Sequence, residues 1–519
     1  MKARLLWAWY GVLATLLGIG LAHLAAGLVD PASSPVLAVG SGVIDRTPTP
    51  MKEWAIRQFG SADKTILVGS VMAGVLLLAA LAGVLARRRL AAGMGLLAVL
   101  VLVAGGAVLD RPSAEVVDLV PTLVALVVGP LALRLLATTD RKTHEGDGSR
   151  RTLLITIAAV SATAAVGGVA GRLIAAVKRR PEDITLPKPA DPAPPFPRGL
   201  DDQVPGITPF RTSNGKFYRV DTRLDVPVVD SEDWTLTIDG DVDREVTLTF
   251  DDLLGMDLIE RDITLTCVSN SVGGPYVGAA RWLGVPLADV LAKAGIDGTK
   301  ADQILSTDFD GMTISTPLDL ATDGRDAMLA IGMNGKALPR EHGFPVRMVI
   351  PGLYGFISAT KWVTRLTLTT YDDQQAYWTE RDWATDAPIK ISARIDTPKA
   401  LAQVDAGDVV VGGVAWAQER DGVAKVQVRI DGGAWTDAQP GPDGGNDYWR
   451  QWFYRWDGAS SGSHRIAVRA VAGNGDAQTA VRAEPFPDGA SGLHEFARHR
   501  EVARKSPRNR PIRSTQHSE

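Results

Sequence analysis

Five apolar runs, near residues 5–29, 64–86, 90–109, 116–137 and 152–177, occupy the first third of the chain, separated by polar connections. Each is long enough, at about 20 residues, to carry a helix across the hydrocarbon core of a bilayer. The pattern predicts N-terminal transmembrane helices and a membrane domain over 1–180. Residues 181–205, PEDITLPKPADPAPPFPRGLDDQVP, hold no apolar period and many prolines. They read as a stiff, extended spacer that lifts the following domain off the membrane. From 206 to 395, strand-like runs rich in Thr, Val and Ile (TLTI at 235–238, VTLTF at 246–250, ITLTC at 263–267) alternate with helical spacing. PLADVLAKAG at 286–295, closed by Gly295, shows that helical spacing. This is a mixed α+β domain. From 396 to 486 only short strands follow, among them VVVGGVAWA, AKVQVRIDGG, WRQWFYRW and HRIAVRAVAG, as in an all-β sandwich of immunoglobulin type. The Arg-, Ser- and Pro-rich stretch 487–519 reads as a disordered tail.

A length of 519 residues agrees with several folded units. The mean hydropathy of +0.04 is high for a soluble protein, and its excess lies in the five runs. A net charge of −4, with no long basic stripe, gives no reason to expect a nucleic-acid partner. The one cysteine excludes an intramolecular disulfide, and the seven histidines show no zinc-type spacing.

Basic residues set an orientation. Lys2 and Arg4 precede the first run, Arg87, Arg88 and Arg89 fill the second connection, and Arg134, Arg141, Lys142, Arg150 and Arg151 fill the fourth. By the positive-inside rule these flanks are cytoplasmic, which places everything after the fifth run outside the cell membrane. Lys178, Arg179 and Arg180 count against that assignment. Ser149-Arg150-Arg151-Thr152-Leu153-Leu154 resembles a twin-arginine export signal for folded proteins; its other reading is a plain basic flank.

Candidate chemistry centres on Cys267, which ends a strand and opens the loop VSNSVGG. A lone cysteine there is either a small buried hydrophobe or a soft thiolate ligand beside a Gly-bearing loop that admits something bulky. The run ITLTCVSN followed by GAARWLGVPLADVL decides between them, because it resembles the molybdenum-ligand segment of the sulfite oxidase family. Further blocks resemble that family in the same order: His342-Gly343-Phe344-Pro345-Val346-Arg347, Val349-Ile350-Pro351-Gly352, Thr360-Lys361-Trp362-Val363, and Ala376-Tyr377-Trp378 with Arg381-Asp382-Trp383. GVAWA, VQVRIDGGAW and WRQWFYRW are similar to the β-sandwich that follows the cofactor domain in that family.

The resemblance, over roughly 206–485, implies a sulfite-oxidase-type molybdopterin domain with Cys267 as metal ligand. It implies cofactor contacts from His342, Arg347 and Lys361, and from Tyr218, Arg219, Thr307 and Thr360 on looser matches. It also implies Tyr377 as a hydrogen-bond donor to the transferring oxygen. The reaction implied is two-electron oxygen-atom transfer on a small oxyanion or S-oxide. No intrinsic haem is expected, since His23 is the lone histidine in an apolar run. Electrons would therefore pass to a separate cytochrome or quinone-linked carrier, and a homodimer would form through the sandwich domain.

The pattern departs from the family at the substrate. The arginines expected after the loop asparagine are replaced by Ser271 and Val272, and the upstream Arg-Asn-His segment reads Val220-Asp221-Thr222-Arg223. Asp221 is expected to repel a dianion. A methionine-sulfoxide or S-oxide reductase activity is the alternative within enzymes. A membrane-tethered β-sandwich binding module with a decayed cofactor domain is the alternative outside them.

Overall fold

The computed structural model describes residues 2–48, 63–178, 184–403 and 407–498, together with Met51, Trp54, Gln58 and Phe59. Its contacts divide the chain into two units. The first holds residues 1–193, 213–261 and 280–387; the second holds 194–212, 262–279 and 388–519.

In the first unit, helices α1 (Lys2–Leu28), α2 (Pro35–Arg46), α3 (Asp63–Arg88), α4 (Leu90–Leu109), α5 (Val120–Glu145) and α6 (Arg150–Lys178) come first. Five stretches, in α1, α3, α4, α6 and the span Val116–Glu145, are long and apolar enough to cross a membrane. Glycines let α1 approach its neighbours closely. A Cβ on Gly11 would lie 1.9 Å from the Ala79 carbonyl oxygen, and one on Gly83 would lie 2.0 Å from that of Trp7. The short helix α2, in the first connection, leaves no apolar run long enough to have been read from hydropathy. Lys178 donates to the carbonyls of Leu28 and Val29 at 2.7 and 2.8 Å, so this basic residue caps the C-terminal end of α1. Arg179 and Arg180 lie outside the described residues.

An α+β region follows, with strands β1 (Thr235–Gly240), β2 (Val246–Thr249), β3 (Ile259–Thr266), β4 (Val277–Pro286), β5 (Gln303–Asp308), β6 (Thr313–Pro317), β7 (Met328–Met333), β8 (Lys336–Ala337), β9 (Arg347–Val349) and β10 (Val363–Thr369), of which residues 262–266 of β3 and 277–279 of β4 belong to the second unit. One sheet runs β2-β1-β10-β5-β6, with β1 parallel to β10. The other runs β3-β4-β7-β8, with β9 also paired to β7. Strand β7, MLAIGM, is buried at every position, which explains its unbroken apolar run. The expected helix at 286–295 is Leu287–Ala294, with Leu287, Val290, Leu291 and Ala294 inward and Gly295 at positive φ beyond it.

The second unit carries β11 (Ser392–Thr397), β12 (Gly407–Trp416), β13 (Val423–Ile430), β14 (Thr436–Asp437), β15 (Gln439–Pro440), β16 (Arg450–Ala459), β17 (His464–Ala472) and β18 (His494–Arg498). Two four-stranded sheets, β11-β12-β16-β15 and β14-β13-β17-β18, share one core that includes Val409, Val411, Val426, Val428, Trp452, Ile466 and Val468. The C-terminal region is thus β-rich.

Two sequence expectations need correction. The proline-rich stretch does not run free as a spacer: Ala190 donates to the Leu258 carbonyl at 2.8 Å and Asp191 bridges to Ile259 in the first unit. In the second unit, Leu200 and Val204 are buried with Ile207 and Phe453. The stretch lacks a regular apolar period, yet it still supplies isolated apolar anchors. Part of the expected disordered tail is also ordered, because β18 pairs with β17; residues 499–519 lie outside the described residues.

Candidate functional site

In the first unit, two returns of chain bring cations together. His342 ends a short 3₁₀ turn, Arg347 opens β9, and Thr360 and Lys361 precede β10, with Arg347 and Lys361 joined by a β-bridge. Gly343, at φ 112°, makes the approach possible: a Cβ there would lie 3.0 Å from the Cβ atoms of both Arg347 and Lys361.

Arg347 is 5% exposed. Its guanidinium donates only to carbonyl oxygens, of His342 at 3.1 Å, Met348 at 3.3 Å and Ala359 at 3.4 Å, and lies 5.1 Å over the Trp282 ring. Among the described residues no carboxylate pairs with it. Burial accordingly pulls it down to about 10. A buried cation with no acid beside it is a site shaped for an anion.

His342 is also buried. Its Nε2 lies 2.8 Å from the Asn214 carbonyl oxygen, which can only accept, so that nitrogen carries the proton. Burial first, and then the charges of Arg347, Lys361 and Arg219, lower His342 to about 4. At neutral pH it is a neutral donor, packed edge-on against Phe217 at 5.5 Å. Phe217 in turn stacks with Tyr218 at 5.1 Å.

Lys361 donates to Asp221 Oδ2 at 2.5 Å and to the Glu341 carbonyl at 3.4 Å. Its burial brings it down to about 8 against the pull of Asp221. Asp221 also binds Arg219 at 2.7 Å and Lys64 at 3.0 Å. Burial alone would raise its carboxyl; Lys361, Lys64 and Arg219 together hold it well below its usual range. The expectation that Asp221 repels anions is therefore corrected. Its charge is outnumbered by the three cations gathered on it.

Thr360 is buried, its Oγ1 2.6 Å from Ser306 Oγ, which donates to the Ile314 carbonyl. Thr307, the neighbouring residue on β5, pairs by backbone with Arg365 and Thr313. The hydroxyl that meets Thr360 is that of Ser306, the residue before Thr307. Tyr377 donates its N–H to Thr313 Oγ1 at 3.1 Å. Its ring lies 3.6 Å beneath the Arg381 guanidinium and edge-on to Trp378.

Cys267 belongs to the second unit. It is buried, its Sγ 2.9 Å from Ser269 Oγ. Its N–H donates to the Tyr276 carbonyl at 3.0 Å, and its own carbonyl accepts from Asn270 N–H. Asn270 Oδ1 accepts from Tyr276 N–H at 2.9 Å, so the asparagine three residues after the cysteine closes the loop. Thr264 anchors the preceding strand: its N–H donates to the Asp447 carbonyl, its carbonyl accepts from Gln418, and its hydroxyl accepts from Trp449 N–H.

The residues fit a molybdopterin on two counts. Within the first unit, Arg347 is a buried cation suited to an anion such as a phosphate; within the second, Cys267 offers the soft donor a redox metal takes. Among the described residues no three His, Cys, Asp or Glu side chains form a metal-holding group. A metal at Cys267 would then rest on one thiolate and a cofactor's own donors. Sequence reasoning missed Asn214, Trp282 and Lys64. Trp282 stood inside a quoted motif; Asn214 acts through its carbonyl, which side-chain identity does not reveal.

Residues 223–378 match the oxidoreductase molybdopterin binding domain family. Mitochondrial sulfite oxidase of Drosophila melanogaster is 29% identical over 293 residues, 47% of this chain and 50% of that protein. The Rattus norvegicus enzyme of the same name is 31% identical over 271 residues, 44% and 49% of the two chains. This chain thus spans about half the length of the curated relatives it matches. The crystal structure of the sulfane dehydrogenase SoxCD from Paracoccus pantotrophus aligns at 22% identity and a TM-score of 0.49, over 56% of this chain and 84% of that one.

Proposed function

We propose that this chain, which carries a molybdopterin-binding oxidoreductase domain of the sulfite-oxidase-like kind, performs two-electron oxygen-atom transfer on a small substrate, with Cys267 as the protein ligand to molybdenum. The observation that carries this reading is Arg347, a buried guanidinium that donates to three carbonyls and, among the described residues, pairs with no carboxylate. Molybdopterin, when bound, supplies the redox metal and the dithiolene sulfurs that take up and release two electrons. The chain's own residues do the rest. Arg347 would fork onto the cofactor's phosphate, Lys361 and Arg219 would supply further donors, and neutral His342, whose N–H is taken by the Asn214 carbonyl, would offer its other ring nitrogen as an acceptor. The Cys267 thiolate completes the metal's coordination, held in place by the Asn270-closed loop. Tyr377 would serve the transferring oxygen as hydrogen-bond donor or proton relay. Tyr218, Thr307 and Thr360 complete the wall around the pterin.

The substrate is a small oxyanion or S-oxide. Ser271 and Val272, standing where arginines are expected, argue against a pocket tuned to sulfite, and S-oxide reduction is the second reading that this change favours. The apolar helices anchor the chain in the cell membrane as a multi-pass protein. The basic flanks, with the Arg150-Arg151 pair, support an extracytoplasmic position for the catalytic domain. The C-terminal region serves as an immunoglobulin-like sandwich and homodimer contact, and electrons pass to a separate cytochrome or quinone-linked carrier.

Elemental analysis and electron paramagnetic resonance on purified wild type and Cys267→Ser test the centre of this reading. Wild type without molybdenum would sink it; an unchanged molybdenum signal in the variant would sink the ligand assignment. Turnover assays with sulfite, chlorate and sulfoxides then separate the substrates.

A further inference from the structure

Three separate stretches of the apolar helical region hold the catalytic part of the first unit. At the head of α3, Lys64 donates to Asp221 Oδ1 at 3.0 Å and to the Arg223 carbonyl at 2.6 Å. In the α4–α5 connection, Ser113 donates to Asp310 Oδ1 from its N–H at 3.1 Å and from its hydroxyl at 2.5 Å. Pro112 lies beside it, 3.1 Å from where a Gly311 Cβ would stand. On α2, a Cβ at Gly40 would come within 2.6 Å of Leu224 Cδ1.

These points are joined by Arg223. Its guanidinium pairs with both Asp308 and Asp310 and lies over the rings of Phe309, at 4.7 Å, and Trp362, at 6.0 Å. Trp362 directly follows Lys361. The connection runs without a break from Ser113 through Asp310 and Arg223 to Asp221, and from Asp221 to Lys361 and Arg219. A plain anchor would need only a peptide link; it has no use for a cation delivered onto a carboxylate that is 7% exposed.

We infer that the apolar helices form part of the cofactor site, and that Lys64 is a positioning residue that fixes Asp221 and through it Lys361 and Arg219. This rests on the molybdopterin reading above for its chemistry, though not for its geometry. Lys64 balances Asp221 so that Lys361 and Arg219 are shared with an incoming anion instead of being drawn onto one carboxylate. With Lys64 neutral, the acid is less fully offset, it competes for Lys361, and the anion site loses strength.

The test uses the full chain in detergent or nanodiscs. Molybdenum and pterin per chain are followed through successive dilutions for wild type, Lys64→Gln and Lys64→Arg, with inorganic sulfate as a competing anionic probe. Lys64→Gln should release cofactor about tenfold more readily and lose sulfate competition, as removal of one charge-assisted contact implies, while Lys64→Arg stays near wild type. Unchanged retention in Lys64→Gln overturns the positioning role. A second variant, Ser113→Cys with Asp310→Cys, is oxidised and peptide-mapped. A 113–310 disulfide supports the seating of the catalytic part on the helices, and its absence overturns the inference whatever the cofactor content. If that disulfide forms in protein whose wild type carries no molybdenum, the molybdopterin reading fails while the seating stands.

Discussion

Replacing Arg347 with Met should separate what the guanidinium does for the fold from what it does for a ligand. The side chain is buried, its three carbonyl bonds are long, at 3.1 to 3.4 Å, and no acid offsets its charge among the described residues. Its fall from an ordinary 12.5 to about 10 corresponds to about 3 kcal/mol held against the charged form. Methionine fills much of the same volume without that charge, and replacing buried ions by apolar groups is often neutral or stabilising. Cofactor-free Arg347→Met should therefore match wild type or exceed it by up to about 3 kcal/mol. With the cofactor the sign reverses. A guanidinium fork makes two charge-assisted bonds of about 1.5–3 kcal/mol each, so retention should fall by on the order of 10²- to 10⁴-fold. Protein made in cells unable to synthesise the cofactor gives the first comparison, by thermal midpoint. Protein from competent cells gives the second, by pterin fluorescence after dilution. A cofactor-free variant several kcal/mol less stable than wild type would refute the reasoning, because the carbonyl bonds would then be the residue's purpose.

His342, near 4 when folded against 6.5 when unfolded, leaves the unfolded chain holding more protons between those values. Stability should thus drop by up to about 3 kcal/mol as pH falls from 6.5 towards 4. His342→Gln should remove that contribution from the pH dependence of thermal midpoints and leave the separate one from His494, which burial also lowers to about 4. Tyr377→Phe keeps the ring under Arg381 and removes the hydroxyl. Turnover should fall about 100-fold at unchanged cofactor content, and full turnover would assign the ring to packing. A Cβ on Gly413 would lie 1.8 Å from the Arg394 carbonyl oxygen. Gly413→Ala should therefore part β11 from β12, and lower the thermal midpoint by the equivalent of about 1–3 kcal/mol; an unchanged midpoint would show that the strands can shift.

The apolar helices were legible because a lipid-facing segment is apolar on every side for a fixed length. The blocks around Cys267, His342 and Arg347 were legible because each is contiguous. What escaped was long-range. Nothing near Asp221 announces Lys64, 157 residues away, so the acid reads as a repulsive charge until its partners are known. That the Ser306 hydroxyl is the one on β5 that meets Thr360 follows from strand register, which strand propensity cannot fix. The proline-rich stretch was misread because composition reports the lack of a period, not whether two leucine- or valine-sized anchors find a pocket.

The strand leading to Cys267 has a consequence for the order of events in the cell. Its hydrogen bonds at Thr264 are made with Gln418, Asp447 and Trp449, which leave the ribosome more than 150 residues later. A nascent chain that has just produced the cysteine cannot yet hold it in place. The surroundings of Cys267 are thus complete only after nearly the whole polypeptide has been synthesised, and truncation near residue 387 would remove the support for a residue 120 positions upstream.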